Sequence, residues 1–167
     1  VVQHADPVVD PDGAALAPTS GAFPDVAFKC CEAETAAAVV TTYVGLSGAL
    51  SADDLDEAKS RAVALGAAVA QATTSPGVTD ADRAGLEQMA ALADRLAGQP
   101  DLEGARAEFL DLTSPMLVFA KANVGGELPV SVAFCPMKPG RWLQVSETIA
   151  NPYYGAKMLT CGAFEAL

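Results

Sequence analysis

Cys135-Pro136-Met137 and Met158-Leu159-Thr160-Cys161 each set a cysteine and a methionine within three residues of one another, in a chain with only four of each. Thiolate and thioether sulfur are soft donors, and together they select Cu(I) over harder ions. Zinc favours thiolates and imidazoles in a closed tetrahedral set, where methionine is a poor ligand. Two sulfur pairs brought together by a turn would therefore suit Cu(I), with Ag(I) as its mimic. Cys30 and Cys31 are candidate additional ligands. Pro136 and Pro152 restrict the backbone beside the two pairs, which would preorganise ligands or serve equally in a rigid turn.

Two other chemistries fit the same residues. Met137 and Met158 could fill an apolar core, as could Trp142, Tyr153 and Tyr154. Four cysteines could also form two disulfides, each contributing about 3 to 5 kcal/mol. A Cys135–Cys161 bridge would close the tail into a small lobe. The adjacent Cys30 and Cys31 bond to each other only through a strained ring, so each could instead reach one tail cysteine. A thiol redox pair at Cys30-Cys31 is a third option, and no Cys-x-x-Cys supports it.

Catalytic constellations are missing from the sequence. The single histidine is His4, in a segment rich in proline and glycine, so a nucleophile–histidine arrangement has little to build on. No glycine-rich phosphate loop, dinucleotide fingerprint, zincin helix or haem attachment motif occurs. Asp53, Asp54 and Asp56 cluster at a helix start, where they complement the dipole. A binding protein is expected, not an enzyme.

Acidic residues outnumber basic ones 21 to 10, for a formal charge of −11. That field repels nucleic acid and anionic membrane and attracts cations without choosing among them. No apolar run reaches the roughly 18 to 20 residues of a membrane span. Residues 1–29 carry Pro7, Pro11, Pro18 and Pro24 and read as an extended arm, of a kind that suits an exported protein.

Residues 30–124 read as helices. The stretch from about residue 32 carries Val40, Tyr43, Val44, Ser47 and Leu50 at helical spacing. Ser51 is the expected N-cap of a second helix, with Asp54 in the capping-box position and Leu55, Ala58, Ala62, Leu65 and Val69 as its stripe. Thr79 or Asp80 starts a third, ended by Gly98 and Pro100, and Asp101 caps a fourth. Pro115 should kink or divide that helix near Ser114. Asn123, Gly125 and Gly126 supply its stop. Short connections make an antiparallel up-down four-helix bundle the simplest architecture. Residues 125–167 read as a small C-terminal lobe with a short β-hairpin around Pro139-Gly140, packed on the bundle end. Because helix one starts where helix four ends, Cys30, Cys31, Cys135 and Cys161 are expected to converge there.

The tail reads Cys135-Pro136-Met137, Trp142-Leu143, Asn151-Pro152-Tyr153-Tyr154-Gly155 and Met158-Leu159-Thr160-Cys161-Gly162. In this order it resembles a family of unknown function found in bacterial envelope proteins and at the C-terminus of some copper/silver efflux adaptor proteins. Tyr154 stands where that family has phenylalanine. Arg106 and Phe109 match a recurrent Arg-x-x-Phe in its fourth helix, and the likeness covers roughly residues 35–164. The resemblance implies a helical bundle with a sulfur-bearing lobe, a periplasmic or secreted location, and a link to copper. It carries ligand roles onto Cys135, Met137, Met158 and Cys161. The expected function is Cu(I) binding for sequestration or delivery to efflux, with the metal ion and an efflux adaptor or other envelope protein as partners. The alternative is a disulfide-stapled interaction module without native metal.

Overall fold

Three side chains set where three of the four helices begin. Asp54, Thr79 and Asp101 each accept a hydrogen bond from the backbone N–H three residues ahead, at Glu57 (2.9 Å), Asp82 (3.1 Å) and Gly104 (2.8 Å). Each such cap is worth about 1 kcal/mol. The computed structural model describes residues 29–124 and 128–167. The proposed arm and His4 lie outside these, apart from Lys29, as do Gly125 and Gly126.

The helices are α1 (Ala33–Ser51), α2 (Leu55–Thr73), α3 (Asp80–Ala97) and α4 (Leu102–Asn123), and each packs against its neighbour in sequence. Two helix details differ from the sequence expectation. Ser51 is the last residue of α1, its hydroxyl donating back to the Gly48 carbonyl, while Asp54 is the N-cap of α2. Asp53, at φ 58°, turns the chain between them. Pro115 does not divide α4, which runs unbroken past it. Leu112, Met116 and Phe119 around it are all fully buried, and that packing outweighs the hydrogen bond Pro115 cannot donate.

The lobe is a three-stranded antiparallel sheet in the order β2-β1-β3, formed by β1 (Ser131–Cys135), β2 (Gly140–Gln144) and β3 (Ala163–Glu165). The hairpin is the expected one, with Cys135 opposite Gly140. The third strand, from a stretch that reads as turns, pairs Phe134 with Ala163. Met158 follows a single 3₁₀ turn, Gly155–Lys157.

The lobe does not cap the end of the bundle. β2 lies on both α1 and α4, and its side chains complete the core along that flank. Tyr43 of α1 stacks on Phe109 of α4 at 5.0 Å between ring centroids; Phe109 meets Tyr153 at 5.7 Å, and Tyr153 meets Trp142 edge-on at 6.0 Å. Thr113 anchors the polar tips, bonding the Tyr43 hydroxyl at 2.6 Å.

Candidate metal centre

Asn151 organises the tail's sulfur. It is fully buried, and its Oδ1 accepts from the Tyr153 and Tyr154 N–H groups at 2.8 and 3.3 Å, an Asx-type turn that Asn-Pro favours. Its Nδ2 donates to the Cys161 carbonyl at 2.8 Å and the same side chain supports the Cys135 sulfur. Tyr154 hydroxyl donates to the Met137 carbonyl at 3.2 Å, tying the Cys-Pro-Met loop to the Asn-Pro-Tyr-Tyr-Gly segment. Cys161 N–H closes a turn on the Met158 carbonyl at 3.0 Å.

Two glycines make this fold of the tail possible. Gly155 (φ 55°) faces Asp53 and Arg106, and Gly162 (φ 145°) lies so close to Trp142 that a Cβ would stand 2.9 Å from its ring. Both positions require positive φ and leave no room for a side chain.

The outcome is a sulfur pair. Cys135 Sγ and Cys161 Sγ lie 3.6 Å apart, Cys135 buried and Cys161 half-buried. Burial works against ionising Cys135. It is outweighed by hydrogen bonds from the Lys138 N–H, Asn151, the Cys161 thiol and the Met137 N–H, and the thiol is held below its ordinary value. Cys161 is pushed up, first because its hydrogen bond to Cys135 would be lost on ionisation. Of the two sulfurs, Cys135 is therefore the more readily ionised.

For scale, two thiolates about 2.3 Å from one tetrahedral zinc ion stand about 3.8 Å apart, against 3.6 Å for this pair. Among the described residues no group of three or more His, Cys, Asp and Glu is placed to hold a metal ion. Met137 is 62% exposed, whereas Met89 and Met116 are fully buried. Met137 is accordingly not core, which removes the packing reading for it. Met158 is half-buried. Trp142 and Tyr153 are core, and Tyr154 is half-buried with its hydroxyl on the loop.

Cys30 and Cys31 do not join this pair. Cys30 N–H donates to Asn123 Oδ1 at the end of α4, as the up-down topology requires. The tail, however, runs back along α4. Val132 shares a cavity with Leu117, Val118 and Lys121, whereas Gly140, opposite Cys135, abuts Leu110. Leu110 and Asn123 are thirteen residues apart on one helix, about 20 Å. The expected convergence of four cysteines, and any bond from Cys30 or Cys31 to the tail, is overturned by this return path. Cys30 instead donates its thiol proton to Cys31 Sγ at 3.0 Å.

Sequence reasoning missed the load on Asn151 and Arg106. Arg106 Nε donates to the Pro152 carbonyl and its Nη2 to the Leu50 carbonyl, both at 2.8 Å, and it pairs with Asp53. Asp53 in turn accepts from the Ala156 N–H at 2.9 Å, and that bond, with Arg106, holds its carboxyl below the usual range. The Arg106-x-x-Phe109 spacing is the available signal, because it sets a donor and a ring on one helical face toward Pro152 and Tyr153.

Fold and site together define a four-helix bundle whose flank is completed by a small lobe carrying one buried and one half-buried thiol. The chain belongs to the family described as "Protein of unknown function (DUF3347)", whose model matches residues 39–125. That span runs from α1 through α4 and includes Arg106 and Phe109; Cys135, Met137, Met158 and Cys161 lie beyond it. No curated protein and no solved structure matches the chain.

Proposed function

We propose that this protein binds a soft monovalent metal, Cu(I) with Ag(I) as mimic, in the bacterial envelope, for sequestration or for delivery to an efflux system. The observation that carries the reading is the Cys135–Cys161 pair, 3.6 Å apart, with hydrogen bonds that make its inner sulfur the more readily ionised. Metal ions compete with protons for thiol sulfur. Cys135 meets that competition already disposed to lose its proton, and Cys161 releases its own on binding. Met137, exposed on the adjoining loop, serves as the capturing thioether, and Met158 completes the donor set. Cargo binding needs no catalytic group, and the role is non-enzymatic. The proposed partner is an efflux adaptor or other envelope protein; among the described residues no helix is long and apolar enough to cross a membrane.

The same spacing is also close enough for oxidation, which favours a second reading: a Cys135–Cys161 staple in a docking module without metal. Two measurements on protein prepared without oxygen or reductant separate them. Denaturing alkylation followed by intact mass counts free thiols, and thermal unfolding is followed with and without Cu(I). The metal reading predicts free Cys135 and Cys161 and a stabilisation of about 2.7 kcal/mol at a hundredfold excess of free metal over Kd. A bonded tail pair with no Cu(I) stabilisation would replace it with the staple.

A further inference from the structure

The second thiol pair is built for a different chemistry. Cys30 is buried in the core, its thiol pushed up to about 12, first by burial and then by its hydrogen bond to Cys31. It therefore keeps its proton and points it at Cys31 Sγ, 3.0 Å away. Its backbone N–H is fixed by Asn123 Oδ1 at 3.3 Å, so the donor is held in place. Cys31 is half-buried and lines a cavity of about 360 Å³ with Lys29, Lys121 and Asn123. In a chain of net charge −11 with ten basic residues, this cavity presents two lysines and, among the described residues, no acidic side chain. Reactive cysteines occupy such electropositive, partly exposed positions, and an adjacent donor stabilises the sulfur as charge develops.

We propose that Cys31 is a reactive thiol that exchanges with an anionic low-molecular-weight disulfide seated in this cavity. Cys31 sulfur attacks one sulfur of the disulfide RSSR. A Cys31–SR bond forms as the S–S bond of RSSR breaks, and the departing thiolate takes up the proton that Cys31 gives to solvent. One disulfide is consumed and one is made, so no other oxidant is needed. Lys29 and Lys121 draw the carboxylates of RSSR into the cavity. The reaction stops at the mixed disulfide, because Cys30 is buried and retains its proton. Cys161 also reaches the surface and is the competing thiol.

The test treats the reduced full chain with glutathione disulfide, which is anionic, and with cystamine, which is cationic. Adducts are located by peptide mass. A single adduct on Cys31 is expected, forming about ten-fold faster with glutathione disulfide than with cystamine at low salt, the ratio shrinking as salt is added. The Lys29→Glu/Lys121→Glu variant should invert that preference while its helical circular dichroism stays as in the parent. An adduct chiefly on Cys161, an equal or faster reaction with cystamine, or no adduct on Cys31 in the folded chain would each overturn the assignment. None of these outcomes bears on Cu(I) binding by the tail pair.

Discussion

The two cysteine pairs of this protein are chemically opposite, although each consists of two sulfurs within 3.6 Å. In the tail the buried sulfur is the more readily ionised one, because backbone and side-chain N–H groups converge on it. At the start of α1 the buried sulfur is the one that keeps its proton, because burial is not offset by comparable donors. Burial alone therefore does not decide thiol character. The hydrogen-bond donors supplied with it do.

The comparison breaks first at the lobe's attachment. Trp142→Ala removes a fully buried ring from the α1–α4 flank and should cost about 3 to 5 kcal/mol in denaturant unfolding. An effect below about 1 kcal/mol would mean the lobe, and with it the tail pair, is not part of the bundle's cooperative core.

Asn151→Ala should come next, at about 2 to 3 kcal/mol, since it strips buried partners from Tyr153 N, Tyr154 N and the Cys161 carbonyl. The same variant should move the lowest thiolate transition, followed by ultraviolet absorbance against pH, upward. An unmoved transition would contradict the donor account of Cys135.

Alkaline pH sharpens the contrast between pairs. Cys30 has its folded value raised from 9.0 to about 12, so the stability tied to its protonated form is full below about pH 9 and is lost as pH rises toward 12. Cys135 has its folded value lowered. Its contribution is present above the unfolded thiol value and is lost as pH falls through the folded one. Cys30→Ser should therefore flatten the decline of stability between pH 9 and 12, and Cys135→Ser should not. The smallest effect belongs to Met137→Ala, within about 0.5 kcal/mol of parent stability because the side chain is 62% exposed. A larger loss would return Met137 to a packing role.

Much of the fold was legible. Capping residues Thr79 and Asp101, the Gly98-Pro100 stop and the alternation in β1 are local signals, and they read directly as elements. The path of the tail was not, because returning along α4 depends on Phe109 and Tyr43 presenting an aromatic seam to Trp142 and Tyr153. Beyond the Arg106-x-x-Phe109 pair, no spacing in the sequence encodes that partnership. Short β3 carries too little alternation to register before β1 is there to pair with it. Within the candidate site, the sulfur positions were visible as motif, but the separation of Cys30 and Cys31 from Cys135 and Cys161 was hidden by the same unread path.

The most direct test of the two-pair account is an anaerobic competition titration of Cu(I) against a chromophoric chelator, on the parent and on two double variants. The account predicts one tight equivalent in the parent and in Cys30→Ser/Cys31→Ser, within about two-fold of each other. It predicts a loss of at least about a hundredfold, or roughly 2.7 kcal/mol, in Cys135→Ser/Cys161→Ser. Tight binding that survives without Cys135 and Cys161, or that disappears without Cys30 and Cys31, would contradict it.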